Sequence, residues 1–493
     1  MKKNIKFLII FAVAASVLGG VLLLLLYTGN DTDEKTDETS KISVSTDDQG
    51  MYEAFILSGQ SGPGTLLSKT PSDIKQIDVS NEWGSFTLKL KTEAGETEEK
   101  NTIYTLLHYE DLTVNQNSAA LVAEAAGSVN FSTFVHDENI SLSDFGLDSP
   151  RANIKVIFND GTKAQLWIGS AAPASSGVYL QFGTGKTVYV ADEGSINSFL
   201  FKVTSLFPTE ITKTAENEEN EKFSYIQINN DSVKNLKLQR SDGEAIKNKY
   251  VLASYNNLFA DNQKAEAIID SIRGLTSTEV AYVKPTPKEI KACGLDKPYA
   301  TLEAKYPDID IKLAAAKPDK EDTLFIMSQD KSFIYKIGLS EVPWLSVSHE
   351  NLLSSYVLEA NLDYVTAVSV NDGTKAFNFN IKTTTKNVTD DDGNESQEKT
   401  TAVTLNGKTV NTEDFKSFFN SFSSIPYSSF SSEKPKGKPL ASIDLEYSTN
   451  RKKDTVKFYD NDTYYLVTLN DISAGNIVKS KIDTVINDLK AKI

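Results

Sequence analysis

The chain of 493 residues has one cysteine, Cys293, and only three histidines. A single cysteine excludes an intramolecular disulfide framework, so hydrophobic cores must hold the folded parts together. The scarcity of histidine and cysteine also argues against a structural metal site, because such sites need clusters of these ligands. His108, His136 and His349 stand in unrelated contexts, and we expect them on the surface or in loops.

The chain also lacks a positive charge balance, because its formal net charge is -16. A surface of this kind repels phosphate backbones and anionic lipid headgroups. We therefore expect no nucleic-acid partner.

Charge is absent altogether from Phe7–Tyr27, and Lys2, Lys3 and Lys6 precede this run. As a helix the run would rise about 31 Å, which is enough to cross a bilayer. The residues from Asp31 to Glu38 are mostly acidic. Residues 1–27 are thus predicted to be a cytoplasmic tip followed by a single-pass membrane helix, Phe7–Tyr27, that contacts lipid. The positive-inside rule places the N-terminus in the cytoplasm and the remainder outside.

A cleavable signal peptide is the alternative for this segment, because Ala12-Val13-Ala14 resembles a cleavage site. The apolar run continues to Leu26, which is longer than a usual signal core. A permanent anchor is therefore the preferred interpretation.

The stretch Thr28–Gln49 is rich in Asp, Glu, Thr and Ser and has little to bury. It predicts a flexible acidic stalk, which we extend over residues 28–64. The residues beyond it are numerous enough for two to four domains.

Internal repetition is the main signal in the rest of the chain. Pro150, Pro298 and Pro439 each precede an alternating strand, with Ala two residues later and an aromatic residue at its end. The prolines are 148 and 141 positions apart, so the repeated unit has the size of a domain.

The context of the prolines repeats as well. Before each proline the pattern predicts strands and then a helix, and after it further strands. The predicted helix faces are Leu121, Val122, Ala125 and Val129; Ala265, Ile268, Ile269 and Ile272; and Phe415, Phe418, Phe419 and Phe422. Candidate N-caps are Ser118, Asn262 and Thr412.

We therefore predict an α+β fold of tandem repeats, each a mainly antiparallel sheet with a packed helix. The predicted domains are residues 65–215, 216–359 and 360–493, the third being degenerate. Helical connectors are expected at 196–207 and 342–357, and an amphipathic C-terminal helix at 477–489.

A turn precedes the repeated strand in two copies. Its residues are Gly146, Leu147, Asp148 and Pro150 in the first copy, Gly294, Leu295, Asp296 and Pro298 in the second, and only Gly437 and Pro439 in the third. Glycine permits the turn conformation, leucine enters the core, aspartate caps backbone amides and proline opens the strand. We interpret these residues as structural.

This pattern resembles a bacterial family known as domain of unknown function 4340. The resemblance is carried by the Lys-rich anchor, by Thr65–Val79, by Leu142–Ala152 with its Gly-Leu-Asp-Ser-Pro turn, by Leu166-Trp-Ile-Gly169 and by Val178-Tyr-Leu. It implies an envelope-facing accessory role, because members are often found beside the permease and ATPase of export-type ABC transporters, including relatives of gliding-motility components. The family has no established catalytic residues to transfer.

Four short patterns could suggest chemistry, and each has a simpler interpretation. Gly183-Thr-Gly-Lys-Thr187 lacks the first glycine of a phosphate loop, since Leu180 stands there, and a strand-turn-strand fits better. Ser58–Gly62 lacks the nucleophile-elbow pattern and is read as a loop. Asp390–Glu395 lacks the spacing of a calcium loop and is read as the tip of a hairpin between Ile381 and Val403. Cys293 matches Phe145 of the first copy, which predicts a buried apolar role.

We therefore expect that the chain is not an enzyme and that it binds no cofactor. The leading hypothesis is a membrane-anchored, extracytoplasmic accessory protein associated with an ABC-type export or gliding-like complex. The alternative is a cell-surface module that binds an envelope polysaccharide or peptide. An envelope hydrolase would need a pocket that gathers a histidine or a carboxylate pair.

Overall fold

The computed structural model describes residues 42–56, 62–94, 100–137, 139–173, 177–241, 243–389 and 395–492. They form two compact units. The first comprises the described residues of Met1–Leu107 and Ala120–Leu200, and the second those of His108–Ala119 and Phe201–Ile493.

The proposed membrane anchor Phe7–Tyr27 lies outside the described residues. Within the described ranges, no helix combines the length and the apolar character that a membrane span requires.

The first unit is built on an antiparallel sheet of eight strands. The strands of this unit, in chain order, are β1 (Ile42–Thr46), β2 (Tyr52–Ile56), β3 (Gly64–Ser68), β4 (Ile74–Asn81), β5 (Gly84–Ala94), β6 (Lys100–Leu106), β7 (Ser128–Phe131), β8 (Thr133–Val135), β9 (Ala152–Phe158), β10 (Lys163–Ala171), β11 (Val178–Phe182) and β12 (Val188–Ala191). Eight of them form the large sheet, while β1 with β2 and β3 with β7 form two separate pairs. The order across the sheet is β6-β5-β4-β9-β10-β11-β12-β8. In β9, Ile154 and Val156 are buried while Asn153 and Lys155 are half-buried, so alternate side chains face the core.

The second unit contains two larger sheets, each of nine antiparallel strands. The first of them has β13 (Tyr225–Asn229), β14 (Leu236–Arg240), β15 (Tyr250–Leu252), β16 (Leu258–Phe259), β17 (Glu279–Val283), β18 (Ala300–Lys305), β19 (Asp310–Ala315), β20 (Thr323–Ser328) and β21 (Phe333–Gly338). Their order is β16-β15-β14-β13-β18-β19-β20-β21-β17.

The third sheet repeats this arrangement. It has β22 (Val365–Asn371), β23 (Ala376–Thr389), β24 (Glu395–Leu405), β25 (Lys408–Thr409), β26 (Ser429–Phe430), β27 (Ala441–Tyr447), β28 (Lys453–Asn461), β29 (Tyr464–Leu469) and β30 (Ile472–Val478). Their order is β25-β24-β23-β22-β27-β28-β29-β30-β26.

The three sheets share one topology. In each, the two or three strands that follow the first central strand lie on one side of a central pair, and three meander strands lie on the other side. A strand from the segment after the helix lies at the far edge, beside the last meander strand. The central pairs are β4 with β9, β13 with β18, and β22 with β27. The predicted repetition of a mainly antiparallel sheet is therefore confirmed, and the third copy has the full strand order despite its shortened turn.

Helices are few and mostly short in the described part of the chain. They are α1 (Gln116–Gly127), α2 (Glu193–Ile196), α3 (Asn262–Asp270), α4 (Pro287–Ala292), α5 (His349–Leu352), α6 (Thr412–Ser423) and α7 (Lys479–Lys492). The helix that precedes the returning strand is α1, α3 or α6. All four predicted phenylalanines of α6 are buried. The face predicted for α1 was partly wrong, because Leu121 is 52% exposed and alanines such as Ala123 are buried instead.

The N-caps lie upstream of the residues that we predicted. Asn115 accepts a hydrogen bond from the Ser118 N–H (3.1 Å), while Asp261 and Asn411 cap α3 and α6. The prediction was wrong because two capping residue types stand side by side in the sequence at 261–262 and 411–412. Local sequence alone does not fix which of two such neighbours has the extended backbone of a cap.

A lead-in segment precedes each sheet and pairs with the chain after that sheet's helix. The three lead-in segments are residues 64–68, 208–212 and 354–358. β3 pairs with β7, and single bridges join Glu210 to Thr276 and Tyr356 to Pro426. The boundaries predicted at 215/216 and 359/360 fall after the second and third lead-in segments, so the second and third repeats begin earlier than predicted.

The flexible stalk predicted for residues 28–64 is wrong over 42–56. There β1 and β2 form an antiparallel hairpin, with Ile42 opposite Ile56. Tyr52 packs edge-on against Phe158 (5.8 Å between ring centroids), and Met51 bridges to Lys163. Alternating apolar residues hold this segment on the first sheet, although its composition is mostly polar.

The predicted helical connectors are series of short turns. Between 196 and 207, α2 is followed by 3-10 turns at Asn197–Leu200 and Val203–Leu206. Between 342 and 357 lie the 3-10 turn Pro343–Ser346 and α5. The C-terminal helix is present as α7, and it begins two residues later than predicted because Ile477 belongs to β30.

Candidate functional site

The Gly-Leu-Asp turns have the same backbone geometry in two copies. Gly146 and Gly294 have φ of +67° and +73°, in the left-handed region that favours glycine. Leu147 and Leu295 are buried, as their roles require. The hydrogen bonds that close the turns run from the Leu147 N–H to the Leu142 carbonyl (2.9 Å) and from the Leu295 N–H to the Ile290 carbonyl (2.9 Å).

The aspartates of these turns do not have the expected capping role. Asp148 and Asp296 are exposed, and among the described residues their carboxylates have no hydrogen-bond partner. Pro150, Pro298 and Pro439 lie just before the central strands β9, β18 and β27. The turn therefore acts through backbone geometry and a buried leucine.

A second set of repeated residues, which sequence reasoning missed, lies beside these turns. Asn81, Asn230 and Asp372 occupy corresponding positions at the end of the first central strand, and we call them the Asx anchors. Asn81 lies opposite Ala152, while Asn230 and Asp372 directly follow pairs with Thr301 and Ser442. They precede the prolines by 69, 68 and 67 positions, a spacing that could have revealed them.

Each Asx anchor uses one side-chain oxygen to close the tight turn that follows it. The Asn81 Oδ1 accepts from the Trp83 N–H (2.9 Å), the Asn230 Oδ1 from the Ser232 and Val233 N–H groups (2.8 and 2.9 Å), and the Asp372 Oδ1 from the Thr374 and Lys375 N–H groups (2.8 and 2.7 Å). This is the geometry of an Asx turn.

The other half of each Asx anchor holds the segment that follows the last strand of the same sheet. Asn81 donates to the Phe199 carbonyl (2.9 Å), and Asn230 donates to the Leu345 and Val347 carbonyls (3.2 and 2.9 Å). In the third copy the Asp372 carboxylate receives the Lys490 ammonium of α7 (2.5 Å). These contacts, first from Lys490 and then from the Lys375 N–H, hold the pKa of Asp372 well below its ordinary value.

The second and third sheets share one connection, residues 353–361. It pairs with the second sheet through Ser354 to Phe259, Lys247 to Glu359, and Asn361 to Ala245, with N–H to carbonyl distances of 2.9, 2.8 and 2.7 Å. It also accepts a hydrogen bond from the segment that leads into β26 of the third sheet, since the Tyr427 N–H donates to the Ser355 carbonyl (2.9 Å). Backbone hydrogen bonds on both sides fix the two sheets to the same segment.

A buried ionic group lies at this junction. Arg451 binds the fully buried Asp454 through two hydrogen bonds of 2.6 Å, from Nε and Nη2. Tyr447 and Asn470 also donate to this carboxylate (2.9 and 2.8 Å). Burial, and then the charge on Asp454, raise the pKa of the Tyr447 hydroxyl, so it remains a donor. The Arg451 guanidinium lies 5.1 Å from the ring centroid of Phe259 in the second sheet.

A cleft of about 420 Å³ opens between the two sheets beside this group. Its walls contain two arginines, Arg240 and Arg451, together with the polar side chains Gln239, Ser241, Asn256, Asn257 and Asn470 and four aliphatic residues. Among the described residues that line it, none is acidic. In a chain with a net charge of -16, this is a local concentration of positive and amide groups.

Cys293 is buried in a small apolar cluster of the second sheet. Its neighbours there are Leu295, Ala316, Met327 and Ile334. Burial raises the pKa of its thiol, which keeps it protonated and unreactive. The interpretation of Cys293 as an apolar core residue is confirmed.

The three histidines are far apart in sequence and have different surroundings. His108 and His136 are exposed, and His136 contacts the Thr187 hydroxyl (2.9 Å). His349 is half-buried and stacks on Tyr255 (4.9 Å), contrary to the surface position expected, and desolvation lowers its pKa. In the described ranges, no group of three or more His, Cys, Asp or Glu residues is arranged to hold a metal ion.

The Gly-Thr-Gly-Lys-Thr segment is the predicted strand-turn-strand, between β11 and β12. Its backbone binds the chain's own carboxylate, because Glu53 accepts from the Thr184 N–H (2.9 Å) and from the Thr184 hydroxyl (2.9 Å). Gly183 has a φ of +66°, and an added Cβ would lie 2.9 Å from the Tyr52 carbonyl oxygen, so the backbone favours glycine there.

Two other patterns lie mostly outside the described residues. In Ser58–Gly62 only Gly62 is described, and in Asp390–Glu395 only Glu395. The strands that flank the second pattern are paired as predicted, with Ile381 opposite Val403.

A family model with the description Domain of unknown function (DUF4340) matches the chain twice, over residues 105–298 and 250–442. The two matches begin at corresponding strands, β6 and β15, and end beside the corresponding strands β18 and β27. They are therefore in register with the structural repeat. In the comparisons with curated proteins and with solved structures, nothing matches.

Proposed function

The chain belongs to the family described as Domain of unknown function (DUF4340), and from this premise we propose that it is a non-catalytic accessory protein of the bacterial cell envelope. It is anchored by Phe7–Tyr27 and carries its sheets outside the cytoplasm. There they engage an export-type ABC transporter or another envelope component, without a cofactor.

The second and third sheets, which are joined by shared backbone pairing, support this proposal. A connection that is hydrogen-bonded on both sides holds neighbouring sheets in a fixed relation, as between the second and third sheets. Two sheets fixed in this way present a preformed surface, which lowers the ordering cost of binding a large partner.

Photo-crosslinking in native membranes tests the partner. Benzoylphenylalanine replaces Phe55, Trp83 or Tyr464, three aromatic residues that are 53%, 57% and 39% exposed. We expect at least one position to crosslink a multi-span permease, with Trp344, fully buried, as the matched position that gives no adduct. If no exposed position yields an envelope or transporter adduct and none co-purifies, the proposal is wrong.

The orientation has its own test, because the lone cysteine is buried. In a Cys293→Ala background, Asp148→Cys should react with a membrane-impermeant maleimide in intact cells. Lys3→Cys should react only after the membrane is opened. The reverse pattern would contradict the proposed orientation.

A second candidate function is a cell-surface module that binds an envelope polysaccharide or peptide. The cleft lined by Arg240, Arg451 and the amide side chains of Gln239, Asn256 and Asn257 supports it, because such side chains can hydrogen-bond a ligand.

A further inference from the structure

The cleft between the second and third sheets concentrates a scarce residue type. The chain has only four arginines, Arg151, Arg240, Arg273 and Arg451, and two of them border this cleft. Arg273 and Arg451 are each committed to a carboxylate, Asp308 and Asp454 respectively.

Arg240 differs from these two. Its guanidinium lies over the ring of Phe223 (5.5 Å), and among the described residues it has no carboxylate partner. The aromatic face orients the planar group without neutralising its charge. An arginine held in this way retains its donors for an anionic group from solution.

The amide groups beside Arg240 have unused hydrogen-bonding capacity. Among the described residues, the side chains of Gln239, Asn256 and Asn257 have no hydrogen-bond partner. Asn256 and Asn257 both have positive φ, +55° and +58°. Asparagine adopts this left-handed region more readily than most other residues, so the loop between β15 and β16 holds both side chains without unusual strain.

An amide side chain both donates and accepts hydrogen bonds, as does a sugar hydroxyl. The cleft volume of about 420 Å³ suits a ligand of one or two sugar rings. The aliphatic residues Val251, Leu258 and Ile472 on its walls match the apolar face of such a ring. Charge complementarity adds one requirement, which is a negative group on the sugar.

We propose that this cleft binds a saccharide that carries a carboxylate or phosphate group, with Arg240 on the anion and Gln239, Asn256 and Asn257 on the hydroxyls. Arg451, held by Asp454, forms the rigid opposite wall. The proposal makes the second candidate function specific and rests on it. It does not depend on a transporter partner.

Saturation-transfer NMR and calorimetry with the full chain test this proposal, with D-glucuronate, D-glucose 6-phosphate and D-glucose as probes. We expect saturable binding of one or both acidic sugars, at least about tenfold tighter than that of glucose. Comparison of the two acids distinguishes carboxylate from phosphate. Equal binding of all three sugars, or no saturable binding of either acid, would overturn the proposal.

Variants locate the site. Arg240→Gln should weaken binding of the acidic sugar about tenfold and leave binding of glucose unchanged. Arg151→Gln, in the first unit, is the matched control and should change neither. Asn256→Gly and Asn257→Gly remove the amides while glycine accepts the positive φ, so they should weaken binding without lowering the melting temperature. If Arg240→Gln and Arg151→Gln behave alike, the cleft is not the site.

Failure of this test and failure of the transporter proposal are separable. A chain that crosslinks a permease but binds no acidic sugar supports the transporter proposal and overturns the acidic-sugar site. A chain that binds the sugar through Arg240 but crosslinks no permease does the opposite.

Discussion

At the scale of single residues, the Asx anchors show how one structural role survives a change of chemistry. Asn81 and Asn230 reach a backbone carbonyl through a neutral amide, whereas Asp372 reaches the Lys490 ammonium. In all three the side-chain Oδ1 closes a turn. The other terminal atom, Nδ2 in the asparagines and Oδ2 in Asp372, then binds the segment that follows the last strand of the sheet.

The first prediction concerns Asn230, which is 2% exposed and makes four hydrogen bonds. Asn230→Ala leaves buried backbone groups without partners and should lower the free energy of unfolding of the second unit by about 2–3 kcal/mol. Urea titration followed by fluorescence measures it. Gln227→Ala, whose amide makes one long bond to Asn235 (3.4 Å), is the control, with an expected loss below about 0.5 kcal/mol.

The second prediction concerns Asp454. Asp454→Asn removes the charge that neutralises Arg451 and should cost about 3–5 kcal/mol, because a buried cation is left without its partner. Glu219→Gln removes an exposed ion pair with Lys222 and should change stability by less than about 1 kcal/mol. Equal urea midpoints for the two variants would show that the buried pair has no special weight.

The third prediction concerns Cys293. Because its thiol is buried and its pKa is raised, the folded protein should react with N-ethylmaleimide at least about a hundredfold more slowly than the urea-unfolded chain. Mass spectrometry of timed samples measures the rate. Rapid labelling of the native chain would mean that Cys293 is accessible.

The residues recognised from sequence and those missed differ in the range of their contacts. Gly146 and Leu147 contact their own turn, so a short motif identified them. Asn230 contacts Leu345, which is 115 residues away, and only the fold brings the two together. The arginine cleft was missed for the same reason, since Arg240 and Arg451 lie on different sheets.

At the scale of secondary-structure elements, α7 is fastened to the third sheet by an ion pair at one end. Lys490, in the last turn of the helix, meets Asp372 in the turn after β22. The last helical turn is also where a cation interacts favourably with the helix dipole.

The fourth prediction is a pH dependence of this attachment. The folded-state pKa of Asp372 is depressed, so its contribution is present above the ordinary aspartate pKa of about 4 and is lost as the pH falls below it. The protection of the α7 amides, which is the factor by which their exchange is slower than that of an unstructured peptide at the same pH, should therefore fall as the pH is lowered below about 4.

Asp372→Ala should give the α7 amides the lower protection already at neutral pH and remove the acid dependence of that protection. Asp414→Ala is a suitable control. The Asp414 carboxylate lies 3.8 Å from Lys492, the other lysine at this end of the helix, so it forms only a long ion pair. Equal acid sensitivity in Asp372→Ala and in the unmodified chain would assign the effect to other groups.

Elements with strong periodicity could be predicted and those with weak patterns could not. The phenylalanine stripe of α6 identified its buried face, because large apolar residues at helical spacing leave few alternatives. In α1 small alanines fill the interface and Leu121 points outward. A prediction that places the larger apolar residues on the buried face was therefore wrong for this helix. The hairpin of β1 and β2 was mistaken for a stalk because its apolar residues alternate within a polar composition.

At the scale of the whole molecule, the chain divides into two units of unequal content. The first unit has one large sheet, and the second has two that share residues 353–361. Repetition predicted three equivalent modules, and their strand order is equivalent. The second and third sheets form one compact unit because they share residues 353–361, and the repeat pattern in the sequence does not show this shared connection.

The fifth prediction is that heating reveals two cooperative transitions. Asn81→Ala should lower the melting temperature of one, and Asp454→Asn that of the other, because the two residues belong to different units. Differential scanning calorimetry of the full chain measures both. A single transition displaced by either variant would mean that the units unfold together.

The lead-in segments constrain how such a chain can lengthen during evolution. A repeat is complete only when the lead-in segment before its large sheet pairs with the chain after its helix, as β3 does with β7. A gene duplication that starts at the first strand of a sheet would leave that partner strand unpaired. Viable copies must therefore be excised from one lead-in to the next, so the heritable unit is offset from the unit seen as a sheet.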